Sequence, residues 1–255
     1  LKALARGIMP VHASAFQFNG RGVIASGWPK GGKTSSLFAF VAQGARFVSD
    51  DWLHVDAAGS VSGLLHPIKL SDWQLEQLPQ YRARLSSSKL RTIGLVKALD
   101  GLEHRVPDVL RRKVPPFGAF HLGMRYLNKK KRHIYATPHQ LFGADLEPSP
   151  TPFDTLLLTL SHESPEIVVR AAPPEEALDR LIYALLHEWQ EFMGFYLQYR
   201  YAFPDRPNPL VDSLEARQRA LLGPLLAGRQ LLTVYHPHPV PFPALYAALA
   251  PHLGA

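Results

Sequence analysis

Eight consecutive residues, Gly27-Trp28-Pro29-Lys30-Gly31-Gly32-Lys33-Thr34, constrain this chain more than any other feature in it. They fill the pattern G-x-x-x-x-G-K-[ST] without a mismatch, and that pattern has a mechanism only where a strand runs in and a helix leaves. Both flanks fit. Gly22 to Ala25 reads as a buried strand, and Thr34 to Ala42 as a helix stopped by Gly44. Glycines let such a loop wrap so that successive backbone N–H groups face a phosphate, and the helix N-terminus adds its partial positive charge. Lys33 is then expected to reach the β- and γ-oxygens of a nucleotide and the Thr34 hydroxyl to ligate Mg²⁺. The expected nucleotide contacts are Gly27, Lys30, Gly31, Gly32, Lys33, Thr34 and Ser35.

The surroundings extend this unit. A strand through Ala15 to Phe18 precedes the Asn19-Gly20 pair, whose tolerance of positive φ predicts a tight hairpin into the Gly22 strand. Ala45 to Val48 reads as the next strand, and Trp52 to Leu65 as a second hairpin turning at Ala57 to Ser60. A short helix is expected over Asp72 to Leu78, and strands at Ile134 to Ala136, Thr155 to Leu160 and Glu166 to Arg170. Pro174, Glu175 and Glu176 open an amphipathic helix with apolar positions at Ala177, Leu178, Leu181, Ile182 and Leu185, expected to run to about Gln198. Two further helices, Leu210 to Leu225 and Ala244 to Leu253, flank a strand at Leu231 to Val234. No repeat or long linker demands two domains. The reading is one domain over 1–255, with a nucleotide-binding core at about 10–75 and an acceptor-side cover with C-terminal helices at about 76–255.

Composition sets the outer bounds. Hydrophobic residues at 46% of 255 suffice for a sizeable core, and the absence of Cys excludes disulfides, thiolate metal sites and a Cys nucleophile. No apolar run approaches the roughly 18 residues that cross a bilayer, so no membrane partner is expected and a cytoplasmic setting fits. The net charge of +7 suits anionic ligands, yet only 19% of residues are charged and no nucleic-acid motif is present, so nucleic acid is not expected as a partner. Two basic runs, Lys129 to Arg132 beside Arg125 and Tyr126, and Arg111 to Lys113, read as solvated loops or as contacts for an anionic acceptor. His236 and His238 lack a third ligand for a metal. Trp189, Phe192, Phe195, Tyr196 and Tyr199 recur at helical spacing and read as core, or as an interface if that helix edge is exposed, and a homo-oligomer is an open expectation for the chain as a whole.

Asp50 and Asp51 end the strand that follows the loop's helix, at the sheet edge where phosphates would lie. Two adjacent carboxylates can divide labour, one holding a metal-bound water and the other taking a proton from a hydroxyl. His12 lies just ahead of the hairpin. With these residues in place, the stretch VHASAFQFNGRGVIASGWPKGGKTSSLFAFVAQGARFVSDDWLHV resembles the catalytic core of the HPr kinase/phosphorylase family. The resemblance spans about 45 residues. It implies an α/β fold with a P-loop core related to phosphoenolpyruvate carboxykinases, a mixed sheet and flanking helices. It further implies ATP as phosphoryl donor, Mg²⁺, and a hydroxyl-bearing acceptor of the serine type. Carried over by position, Lys33 and Thr34 become phosphate and metal binders, Asp50 the base, Asp51 a support of the metal, and His12 a neighbour of the reaction centre.

The chain also departs from that family. Pro29 and Lys30 replace a usual Ser-Gly, residues 61–75 contain no Glu to match a further acidic metal ligand, and Ala171 to Glu176 stands where Pro-Gly-Arg is expected. These differences argue against HPr itself as acceptor and toward the kinase-like relatives acting on peptides or small molecules. A nucleotide-binding switch is the competing expectation, and it needs a water-positioning group and switch loops that the sequence does not display.

Overall fold

The computed structural model describes residues 1–88, 90–92, 94, 95, 98, 133–147 and 149–254. The basic runs at 111–113 and 125–132 lie outside them. The chain divides into two compact units, one formed by Leu1–His66 with Glu147–Ala255 and the other by Pro67–Leu146.

The first unit is built on a mixed sheet. Its strands are β1 (Met9–Phe18), β2 (Arg21–Ser26), β3 (Arg46–Ser49), β4 (Trp52–Val55) and β5 (Ser60–Gly63). In the second unit β6 (Ile68–Ser71) pairs antiparallel with β7 (His133–Ala136), accompanied by the short helices α2 (Asp72–Glu76), α3 (Pro79–Arg82) and α4 (Pro138–Phe142). The chain then returns to the large sheet with β8 (Thr151–Pro152), β9 (Thr155–His162), β10 (Val168–Ala171) and β11 (Gln230–Pro237). Among the described residues the order is β10-β11-β9-β2-β1-β4-β5-β8, with β3 paired to β1. β9 runs parallel to both β2 and β11, and the other pairings are antiparallel. The Asn19-Gly20 hairpin forms as its turn chemistry requires, with Phe18 opposite Arg21 and positive φ at both turn residues.

Strand alternation sorts the side chains of β1 to two faces. Met9, Val11, Ala13 and Ala15 enter one apolar cluster with Leu156 and Leu158 of β9. That cluster is covered by Ala177, Leu181, Ile182 and Leu185 of α5 (Pro174–Glu188) and by Leu214, Leu222, Leu225 and Leu226 of α8 (Leu214–Leu226). Phe16 and Phe18 point the other way, where both rings meet Phe40 of α1 (Lys33–Val41), and Phe18 and Phe40 meet Tyr246 of α9 (Phe242–Leu249). The result is a mixed sheet with helices on both faces, the α/β class expected.

One sequence expectation is corrected and one is resolved. The helix from Pro174 ends at Glu188, and α6 (Gln190–Ala202) starts beyond Trp189, which packs against the apolar cluster as the chain turns. Of the aromatic series Trp189 packs on the core, and the four rings that follow it lie on a helix without buried residues, the exposed alternative of that reading. No residue of α6 is buried, and Phe195 is 63% exposed, so the helical spacing of rings marks an outer surface here. The small helix α7 (Pro209–Asp212), capped by the Asn208 side chain, precedes α8. No helix among the described residues is long and apolar enough to cross a membrane.

Candidate functional site

The Gly27–Thr34 loop leaves β2 at the carboxyl end of three parallel strands, the edge where open α/β sheets receive ligands. Its glycines are required by close approach. A Cβ on Gly31 would stand 2.8 Å from the carbonyl oxygens of both Thr159 and Trp28. One on Gly32 would stand 2.0 Å from Nε2 of His236, and Gly32 also holds φ at 108°, a region L side chains rarely adopt. The loop is therefore pressed onto the ends of β9 and β11. Thr159 also donates its hydroxyl to the Ser26 carbonyl at 3.2 Å.

Lys33 opens α1 and is buried; its ammonium donates to the carbonyls of Gly27 at 2.9 Å and Trp28 at 3.4 Å. Burial pushes its pKa down, and the charges of Glu188, Asp50 and Asp51 oppose that shift. The charges of three carboxylates thus act on one ammonium. Ser35 is buried behind it in the first turn, whereas Lys30 stands exposed at φ 65°.

The Asp pair sits where β1 exchanges one partner strand for another. Ala15 opposes Ser49 of β3, His12 opposes Trp52 of β4, and Asp50 and Asp51 fill the interval, Asp51 at φ 82° with its carbonyl accepting the Ala13 N–H. Adjacent in sequence, the two side chains face different surroundings. Asp50 is buried, accepting hydrogen bonds from the Ser14 hydroxyl and from Thr34 Oγ1 at 2.9 Å to Oδ1 and 3.2 Å to Oδ2. Burial raises its pKa, and the hydrogen bonds from Ser14 and Thr34 hold the rise back. Asp51 is half exposed, and its Oδ1 lies 2.9 Å from His12 Nε2. That hydrogen bond is the leading cause that lowers its pKa, against a smaller opposing effect of burial.

His12 is gripped from both sides, since its Nδ1 lies 2.6 Å from Oε1 of Glu188, the last residue of α5. Only the doubly protonated ring can donate to both carboxylates. Beside it His187 stacks on Trp28 of the loop with centroids 4.3 Å apart, so the end of α5 is fastened at two points, to β1 through His12 and to the loop through Trp28.

The expected catalytic and nucleotide-binding residues lie at or beside this loop, and the basic runs expected to meet the acceptor lie outside the described residues. The sequence pairs Asp51 with Thr34 on the metal, whereas the structure joins the Thr34 hydroxyl to Asp50 and Asp51 to His12. Sequence reasoning missed Ser14 and Glu188, and weighed His236 only as a metal ligand. Ser14 was accessible through the alternation that puts it on the same face of β1 as His12. Nothing local to Glu188 announces its partner on β1. His236 lies on β11, its Nε2 2.7 Å from the Gly31 carbonyl.

Thr34 and the two carboxylates offer hard oxygen donors of the kind Mg²⁺ takes, and the ion usually completes its shell with water and substrate phosphates. Among the described residues no group of three or more His, Cys, Asp or Glu side chains could by itself hold a metal ion. Comparison with protein-family models finds no match to the chain, and comparison with curated proteins finds no significant relative.

Proposed function

We propose that the chain is an ATP-dependent kinase that transfers a phosphoryl group to an alcohol hydroxyl on a peptide, protein or small metabolite. The observation that carries the reading is the parting of Asp50 and Asp51: one carboxylate is buried on the Thr34 hydroxyl and the other is half exposed on His12. Adjacent titratable groups driven in opposite directions by their surroundings are the mark of divided acid–base roles. The local resemblance to HPr kinase/phosphorylase points to the same chemistry.

Bound Mg·ATP would supply the electrophilic phosphorus and offset the charge on its oxygens. Thr34 and Asp50 would hold the metal, which exchanges the base and metal roles that sequence position suggests. Lys33 swings from the Gly27 and Trp28 carbonyls to the phosphate oxygens, and the loop's N–H groups complete the cradle. Asp51, ionised at neutral pH and open to solvent, takes the proton of the acceptor hydroxyl as its oxygen bonds to the γ-phosphorus and the bond from that phosphorus to the β,γ-bridging oxygen breaks, so that ADP leaves. His12 orients Asp51, and Glu188 orients His12.

Help from a positioned base of this kind is worth about 10²- to 10⁴-fold in rate, or roughly 3–5 kcal/mol of barrier. Incubation with γ-labelled ATP and a panel of seryl and threonyl peptides and small alcohols tests the reading. A labelled phosphoester is expected, lost in Lys33→Ala and cut by that factor in Asp51→Asn. Slow ATP hydrolysis without transfer, indifferent to Asp51→Asn, would favour a nucleotide-dependent switch.

A further inference from the structure

The buried histidine beneath the loop has hydrogen-bond geometry that the kinase reading leaves unused. His236 is fully buried on β11, with Nε2 2.7 Å from the Gly31 carbonyl oxygen and Nδ1 2.7 Å from the Pro237 carbonyl oxygen. Both neighbours are acceptors. A neutral imidazole carries one N–H, so either tautomer sets a ring lone pair against a carbonyl oxygen, and only the imidazolium satisfies both contacts.

A buried cation needs a counter-charge. Among the described residues the ring is bonded to two carbonyls and to no carboxylate, and its neighbour His238, on the segment after β11, feels the positive charge of Lys30 on the loop. On β9 the residue opposite His236 is Ser161, which does not titrate, and His162 is turned toward Tyr235 and the Glu166 carbonyl. Burial holds the His238 pKa down, with His236 and Lys30 adding to the effect. His236 therefore lies without a carboxylate partner among the described residues, immediately under the backbone that would cradle phosphate.

We infer that His236 is a positioning residue of the nucleotide loop whose counter-ion is the bound polyphosphate, so that nucleotide binding is linked to uptake of a proton on its ring. The inference rests on the reading of Gly27–Thr34 as a phosphate cradle. In the complex the doubly protonated ring donates to Gly31 and to Pro237, which holds the Gly31 carbonyl beneath the loop. Without nucleotide the ring gives up a proton more readily, and one of the two carbonyls loses its donor. The sign follows: affinity falls as pH rises, by at most about tenfold per pH unit for one linked proton.

The test is calorimetric titration of the full chain with Mg·ADP at several pH values, in buffers of different ionisation enthalpy, for wild type and His236→Gln. Gln keeps one donor for Gly31 and cannot be charged. Wild type is expected to take up more protons per nucleotide than the variant near neutral pH, and to bind several-fold more weakly at pH 8.5 than at pH 6.5, beyond the change in the variant. Titration of ADP itself is common to both proteins and cancels in the difference. Should His236→Gln fail to fold, ¹⁵N shifts of the wild-type His236 ring decide the matter: both nitrogens protonated in the ADP complex supports the linkage, and a single protonated nitrogen there overturns it. Tight ADP binding with equal proton uptake in the two proteins refutes this inference and leaves the kinase reading standing. Failure of wild type to bind ADP or ATP overturns both.

Discussion

Replacing Gly32 by Ala isolates the contact that fixes the loop. At φ 108° the new Cβ is strained wherever it points, which costs about 1–2 kcal/mol. It also arrives 2.0 Å from Nε2, 2.6 Å from Cε1 and 3.1 Å from Cδ2 of His236. The ring cannot step aside easily, being fully buried and held through both nitrogens. Forcing atoms into a closed space of this kind costs a further 1–3 kcal/mol or so, and the expected total is about 3 kcal/mol, or roughly 6–12 °C in melting temperature. Gly44→Ala supplies the control, because Gly44 holds a similar φ of 92° with nothing within 4 Å of its Cβ position. Thermal unfolding of both variants beside wild type separates backbone strain from collision. A Gly32→Ala protein no less stable than Gly44→Ala would refute the packing of the loop on His236.

Asp50→Asn should stabilise the protein while abolishing turnover: the folded-state pKa of Asp50 is raised, so ionisation works against folding as pH rises through and above the carboxylate range. Its melting temperature relative to wild type should therefore climb between pH 4 and pH 7, and a fall would contradict the assignment. Asp51 behaves oppositely. Its folded pKa is lowered, so it contributes stability above the unfolded value near 4 that is lost as pH falls through the folded value. Urea midpoints of wild type and Asp51→Asn should thus differ at pH 7 and converge in acid. Phe195→Asp on α6 should leave the melting temperature within about 2 °C of wild type, since exposed positions are worth no more than roughly 0.5 kcal/mol; a larger loss would mean that the ring is packed.

The parts of this structure legible in the sequence are those whose physics is local. Asn19-Gly20 needs only its own backbone freedom to specify a hairpin, and Gly27 to Thr34 carries its glycines, lysine and hydroxyl within one turn of chain. Asp50 and Asp51 could be located at a strand end but not told apart, because the difference comes from Ser14 and His12 on a neighbouring strand. The same reason hid Glu188, which reaches His12 only because α5 crosses the sheet and stops there. Period left α6 open, because aromatic spacing is the same for a buried stripe and an exposed one, and only the fold decides which face meets the core. The two-residue strand β8 is too short to show an alternation, and in β6 the alternation of buried Ile68 and Leu70 with Lys69 and Ser71 spans only four residues.

The most direct test of the account is an equilibrium titration comparing Mg·ATP with AMP, on wild type and Lys33→Ala. A loop that cradles β- and γ-phosphates should bind Mg·ATP far more tightly than AMP, and the preference should collapse in Lys33→Ala. AMP bound as tightly as Mg·ATP, or Mg·ATP affinity unchanged in Lys33→Ala, would contradict the claim that Gly27 to Thr34 is a polyphosphate site.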